Sequence, residues 1–380
     1  MKIVIAPDSF KESLTAIEVA NFIETGFKEI LPDAEYVKIP MADGGEGTVQ
    51  SIVDATQGRI LEKQVIGPLG IPIHAYFGLS GNGETAIVEM AAASGLQLVP
   101  QEKRNPLITT SYGTGELISA ALDYGVKHII LGIGGSATND GGAGMIQALG
   151  GQLLNSKGKQ IRFGGSNLIE LSSVDLTTID KRLHTTKIEV ACDVNHPLLG
   201  PNGASSVFGP QKGASPKMIE ILDNNLAHFA SMIESYLHVD LRNNPGAGAA
   251  GGLGFGAMAA LSLAQFKKGV DIVLEKVNFD HHVKNASLVI TGEGRIDSQT
   301  IHGKTPIGVA RAAKKFNIPV IAIAGEISND SEIVKNHGID ALFSIVPGAI
   351  PLSQALKQAD TYTTKTAKNI ASLISLGLFK

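Results

Sequence analysis

The chain has 380 residues, 43% hydrophobic and 18% charged, which is enough apolar material for a sizeable core and more length than one average domain needs. Lysine and arginine total 32 against 36 aspartates and glutamates, a net charge of -4 with no basic run and no tryptophan, which argues against nucleic acid or an anionic membrane as a partner. Glycine reaches 44 residues, above the ordinary share of about 7%, and clusters in a few loops without a period, which points to close backbone approach rather than a collagen-like or low-complexity chain.

The single cysteine, Cys192, excludes an internal disulfide and fits a reducing compartment, so the expected setting is the cytoplasm. The apolar run before Asp8 is too short for a signal peptide. No run of about 18 apolar residues predicts a membrane helix.

In chain order, "KIVIA" (2–6) reads as a buried parallel strand. "TAIEVANFIETGFKEIL" has helical apolar spacing, and Thr15 with Glu18 forms a capping box at its start. "EYVKIP" is a second strand and "EGTVQSIVDATQG" a helix with Gly58 as its stop. From Glu62 to Met90 the residues alternate apolar and polar and break at Gly-Pro, Gly-Ile-Pro and Gly-Asn-Gly, the pattern of antiparallel hairpins. Strand-helix order returns in "HIILGIGGSATNDGGAGMIQALGG". The stretch 151–284 is mixed, with a short strand in "IEVACDV", a helix near 216–236 and a glycine-rich 245–256. The last hundred residues are regular: "ASLVIT", a helix after Thr305-Pro306, "VIAIAG", "ALFSIV" and a C-terminal helix opening near Ser353. The expected architecture is α/β with two domains. A doubly wound parallel-sheet domain comprises 1–60, 105–150 and 285–380, interrupted by a mixed α/β domain of 61–104 and 151–284. Ligands are expected at the carboxyl ends of the strands, in the cleft between the domains.

Two motifs invite over-reading. Gly303-Lys304-Thr305 ends like a phosphate-binding P-loop, but Ser298 stands where its first glycine belongs, the loop is too long, and Pro306 removes an N–H donor. Gly246-Ala-Gly248-Ala-Ala-Gly251 satisfies G-x-G-x-x-G, yet the "VDLRNNP" before it is a poor strand. That loop is expected to feed a close-packed Ala/Gly helix; the alternative is a loop lining the active site, with Gly252 as a nucleotide contact. "LGIGGSATNDGG" is the better phosphate candidate, because it follows a convincing strand and runs into a helix starting near Asp140. Its Gly134 and Gly135 let the backbone approach an anion, while Ser136, Thr138 and Asn139 add polar groups; an ordinary βα turn is the competing reading.

Four further strand-end loops carry acids or bases: Asp8, Ser9 and Lys11; Asp43 and Glu46; Asp193; and Glu293, Arg295 and Asp297. Each alone is commonly a cap or turn residue. Together they could supply phosphoryl transfer, which needs donors on phosphate, carboxylates for Mg²⁺ and a carboxylate for the accepting hydroxyl. Zinc-type ligand spacing is missing from His281-His282 and the other histidines, and Cys192 reads as core.

The motifs "IAPDSFKESLTA", "PMADGGEGT", "GIGGSATNDGGAGM", "ACDVNHPLLGPNGAS", "PGAGAAGGLGFG" and "TGEGRIDSQTIHGKTPIGVA", in order over essentially the whole chain, resemble the type I glycerate kinase family. The resemblance implies a flavodoxin-like and a mixed α/β domain, and ATP- and Mg²⁺-dependent phosphorylation of D-glycerate, with 2-phosphoglycerate favoured over 3-phosphoglycerate. By the same resemblance Asp193 activates the glycerate hydroxyl, Lys11 and Arg295 contact anions, and Glu293 and Asp297 hold the metal. Asp8, Ser9, Asp43, Ser136 and Asn139 are the expected substrate contacts, and Gly134, Gly135, Ser136, Thr138 and Gly252 the nucleotide contacts. One departure is His196, where the family motif more usually has Asn. Two other readings stay open on pattern alone: a noncatalytic sensor for a small hydroxy acid, and an NAD(P)-dependent oxidoreductase using the 246–251 loop. The sequence is silent on oligomeric state, a homodimer being one form it allows.

Overall fold

The structure is a computed structural model and describes residues 1–45 and 47–377. The chain divides into two compact units: Met1–Asp43 with Asp54–Thr56 and the chain from Lys268, and Gly44–Val53 with Gln57–Lys267. Among the described residues, no helix is long and apolar enough to cross a membrane.

In the first unit, the strands Lys2–Pro7, Glu35–Lys38, Leu288–Ile296, Val320–Ile327 and Ala341–Ser344 pair in parallel in the spatial order second, first, third, fourth, fifth. This is the flavodoxin-like order of a doubly wound sheet, with its switch point between the first and third strands. "KIVIA" is apolar throughout because both faces are covered. Ile3 and Ile5 join Val19, Ile23, Phe27, Ile290 and Ile370 in one core, while Val4 on the opposite face is just as buried. The helix Ala16–Lys28 begins as its capping box dictates: Thr15 Oγ1 accepts from the Glu18 N–H and Glu18 Oε2 accepts from the Thr15 N–H at 2.8 Å. The C-terminal helix is two, Leu352–Lys357 and Ala359–Ser375, separated at Gln358.

The second unit holds six strands in the spatial order Ala264–Lys267, Lys187–Ala191, His128–Gly132, Thr85–Glu89, Pro72–Leu79, Arg59–Ile66. The first four are parallel and the last two antiparallel hairpin strands, as the Gly-Pro and Gly-Asn-Gly breaks predict. Every parallel step moves one place in the same direction, so right-handed crossovers put the connections on one face. That face carries the core of Val88, Leu131, Val190, Phe229 and Phe255. At the other face Val49 and Val53, from the helix Thr48–Thr56, close on Gly78. A separate antiparallel pair joins Gln152–Asn155 to Leu171–Asp175.

Two expectations are corrected. Segment 105–150 does not join the ends of the chain: its strand His128–Gly132 lies between Thr85–Glu89 and Lys187–Ala191 in the second sheet, and Arg59 already opens that sheet. "HIILG" is apolar on both faces and fits the middle of either sheet; only the neighbouring strands decide between them. In turn, 268–284 belongs to the first unit. Gly58 is not the conformational stop of its helix. Gln57 takes the left-handed φ of 52°, while a Cβ on Gly58 would meet Leu79 O at 2.2 Å, so that glycine serves strand approach.

Candidate active site

In the first unit the switch point gathers three acidic loops. Asp8 follows the first strand, and its N–H donates to Gly292 O at 2.8 Å, which fixes it beside the third strand. Its carboxylate accepts from the Ser9 N–H at 2.7 Å and from Thr305 Oγ1 at 2.5 Å. Residues 39–41 continue along the first strand, with the Met41 N–H on Pro7 O at 2.9 Å, and this brings Asp43 towards Asp8. Burial first, and then the Asp43 charge, push the Asp8 carboxyl up to about 7. Glu293 accepts from Thr300 Oγ1 at 2.7 Å and pairs with Lys304 at 3.2 Å; burial raises its carboxyl, and Lys304 opposes the shift.

Lys11 is exposed at the tip of the Phe10–Leu14 turn, whose backbone lies against Gly294, where a Cβ would meet Lys11 N at 3.3 Å. Arg295 is exposed, 3.3 Å from Asp297 Oδ2 and 3.7 Å from Glu326 Oε1. Asp297 caps the turn Ser298–His302 by accepting from the Gln299 N–H at 2.9 Å, and its own N–H donates to Thr300 Oγ1 at 3.1 Å. Thr300 therefore links Asp297 to Glu293. The Gly-Lys-Thr stretch is the start of the helix Thr305–Lys314, its lysine held by Glu293 and its threonine by Asp8, so it wraps no phosphate as a P-loop would. Glu46 lies outside the described residues.

In the second unit, the loop after His128–Gly132 is held from three sides. Gly44 O sits 2.4 Å from where a Gly132 Cβ would be, Leu96 N donates to Gly135 O at 2.8 Å, and Ala137 N donates to Ser94 O at 2.9 Å. Gly134 and Gly135 are exposed, whereas Ser136, Thr138 and Asn139 are buried. Asn139 Nδ2 donates to Ser205 Oγ at 3.0 Å, but Thr138 Oγ1 and Asn139 Oδ1 are buried with no partner among the described residues. The helix expected near Asp140 begins later, spans only Ala143–Ala148 and presents no free first turn. Asp140 instead is buried, accepting from the Ser111 N–H and hydroxyl at 2.8 Å each and from the Gly142 and Gly144 N–H groups at 3.2 and 3.3 Å. Asp193 is exposed just past the strand Lys187–Ala191. Gly252 is buried: with φ of 87°, its Cβ would meet Leu198 Cδ1 at 2.8 Å and Gly141 Cα at 2.9 Å, so packing against the 141–142 turn accounts for the glycine.

The sequence model of the glycerate kinase family matches residues 3–375 of this chain. The chain belongs to that family. It is accordingly a kinase. It is 62% identical over 376 residues to the "Glycerate kinase" of Bacillus subtilis (strain 168), covering 99% of this chain and 98% of the relative. It is 56% identical over 378 residues to the "Glycerate 2-kinase" of Escherichia coli (strain K12), covering 100% and 99%. A crystal structure from Salmonella typhimurium LT2, described as a candidate glycerate kinase 2, superposes with a TM-score of 0.90 at 56% identity, covering 99% of each chain.

Within this glycerate kinase fold, the sequence-predicted residues fall into separate groups. Asp8, Ser9, Lys11, Asp43, Glu293, Arg295 and Asp297 belong to the first unit, and Gly134, Gly135, Ser136, Thr138, Asn139 and Asp193 to the second. Sequence reasoning missed Lys304 and Thr305 as partners of the acidic cluster, although both lie in the stretch dismissed as a P-loop. It also missed the buried Lys212, whose "GPQKGAS" surroundings carry no apolar run to announce burial. Burial pushes its ammonium down to about 7, with the Asp140 charge opposing. At His196, Asn202 O lies 2.9 Å from Nδ1 and the ring meets Phe208 edge-on at 5.2 Å, so the histidine braces its own loop. Burial pushes the Cys192 thiol up to about 11, which agrees with a core cysteine.

Proposed function

We propose that this chain transfers the γ-phosphoryl group of ATP to D-glycerate and that the product is 2-phosphoglycerate. The observation that carries the reading is a group of three carboxylates, Asp8, Asp43 and Glu293, at the switch point of a chain matched by the glycerate kinase family from 3 to 375. The 2-phosphate is supported by the 56% identity to the Escherichia coli protein named for that position.

In this reading the glycerate hydroxyl oxygen attacks the γ-phosphorus as the bond to the ADP oxygen breaks, and the hydroxyl proton passes to the Asp193 carboxylate. Lys11 and Arg295 hold anionic groups, Arg295 exchanging its pairing with Asp297 and Glu326 for substrate. Asp8, Ser9, Asp43 and Asn139 orient glycerate. Gly134, Gly135, Ser136 and Thr138 donate to the nucleotide phosphates, and Gly252 shapes their loop by packing.

Glu293 and Asp297 would hold Mg²⁺. Among the described residues no three His, Cys, Asp or Glu side chains form a cage, but Mg²⁺ keeps waters and phosphate oxygens and asks for only one or two carboxylates. Both carboxylates keep lone pairs beyond those used by Thr300, Lys304 and Gln299. The ion would offset charge on the phosphoryl oxygens.

A second reading makes Asp8 the proton acceptor, because it lies at the switch point itself and is oriented by Thr305. Purified protein with ATP, Mg²⁺ and D-glycerate tests the reaction through ADP release, with enolase added to follow phosphoenolpyruvate. Phosphoenolpyruvate formed with enolase alone is the expected result. A requirement for phosphoglycerate mutase would move the product to the 3-phosphate, and no glycerate-dependent ADP would refute the function.

A further inference from the structure

Lys212 occupies the single turn Pro210–Lys212 between Gly209 and Gly213, and it is 1% exposed. Gly213 has φ of 88° and its Cβ would meet Arg104 O at 2.4 Å, so the turn is wedged in place and the lysine points inward. Its Nζ donates to Ser136 Oγ at 2.7 Å and to Thr138 O at 2.6 Å. An ammonium has donors and no acceptor. Ser136 Oγ must therefore accept from Lys212, which leaves the serine's own hydrogen to point elsewhere.

Among the described residues nothing accepts that hydrogen, nor the N–H groups of Gly134, Gly135 and Ser136. Thr138 Oγ1 is buried and unpartnered beside them. The loop thus shows a row of unused donors, with a buried cation behind it gripping one side chain and one carbonyl. The balancing charge, Asp140, is itself held by four donors from 111–144 and does not contact the lysine head in any hydrogen bond among the described residues.

We propose that Lys212 is a positioning residue: by fixing Ser136 Oγ as an acceptor and drawing in the Thr138 carbonyl, it turns the 134–138 donors outward as one set for a phosphate of the nucleotide. The proposal rests on the reading of this loop as a phosphate site. Its effect is on nucleotide binding, since Lys212 itself is sealed from the ligand.

The test compares Lys212→Met, Ser136→Ala and the double variant in the full chain, with ATP affinity from calorimetry and KM for ATP and glycerate from the ADP assay. Each single change is expected to weaken ATP by about tenfold or more while the glycerate KM stays within about twofold. The double variant is expected to be no weaker than the worse single one, because both changes remove the same oriented hydroxyl. Normal ATP affinity in Ser136→Ala would sink the reading of the loop. Normal affinity in Lys212→Met beside a weakened Ser136→Ala, or multiplying effects in the double variant, would overturn the role of Lys212 alone. Should Lys212→Met fail to fold, Lys212→Gln, which keeps an N–H donor without the charge, repeats the comparison. Failure of both to fold would make Lys212 a core strut and end the proposal.

Discussion

Replacing Gly251 by alanine tests whether the G-x-G-x-x-G glycines serve packing or a dinucleotide. Ala250, Gly251 and Gly252 all take left-handed conformations, with φ of 54°, 67° and 87°, which breaks the helix Ala249–Ala260 at its start. This turn docks on the phosphate-candidate loop, and Gly141 N donates to Gly251 O at 3.1 Å. A Cβ on Gly251 would lie 1.9 Å from Thr138 O and 2.7 Å from Asn139 Cα, both backbone atoms, so the loop must retreat by about 1 Å to reach even the tightest contacts side chains show. The left-handed conformation costs alanine about 1–2 kcal/mol, and the overpacking about 1–3 kcal/mol more. Gly158→Ala is the control: φ is 69°, but a Cβ there meets nothing within 4 Å, so only the conformational cost applies. Scanning calorimetry should show the melting temperature of Gly251→Ala falling by about 5–15 °C and that of Gly158→Ala by no more than about 5 °C. ATP affinity should fall only in the former. Equal, small shifts in the two variants would refute the packing account, and saturable NAD(P) binding lost in Gly251→Ala would restore the dinucleotide reading.

Asp193→Asn should abolish turnover with an unchanged melting temperature, whereas near-normal turnover there and its loss in Asp8→Asn would transfer the proton-accepting role to Asp8. The Asp8 carboxyl, raised from 3.8 to about 7, contributes stability that is fully present below about pH 4 and is lost as pH rises through 7. Relative to wild type, Asp8→Asn should therefore gain stability from pH 4 to pH 8, by about 4 kcal/mol at most; melting curves that run parallel across that range would show that Asp8 titrates normally. Thr15→Ala removes the acceptor for the Glu18 N–H and should cost about 1 kcal/mol at every pH from 6 to 9, read from the melting temperature of the first unit; no change would mean that tertiary packing alone sets that helix start.

What the sequence determined by itself is what neighbours along the chain decide. Thr15 and Glu18 announce their helix because both halves of the capping box lie within one turn, and Gly-Asn-Gly between alternating runs announces its hairpin for the same reason. The parallel strands are legible as short β-branched runs, and the acidic residues after them mark the ends where an α/β fold places its chemistry. The family motifs, each long and local, also bring Asp8, Asp43 and Glu293 to notice without showing that they are neighbours.

The tertiary structure decided what depends on residues far apart. Which sheet receives "HIILG" turns on its partners Thr85–Glu89 and Lys187–Ala191, and a strand buried on both faces has no pattern that names them. The proton affinity of Asp8 comes from burial and from Asp43, 35 positions away in sequence. The need for glycine at 251 comes from a carbonyl at 138. Lys212 reads as one more surface lysine until its turn is wedged between Arg104 and the 136–138 loop, because burial of a charge is set by the partners that surround it in space.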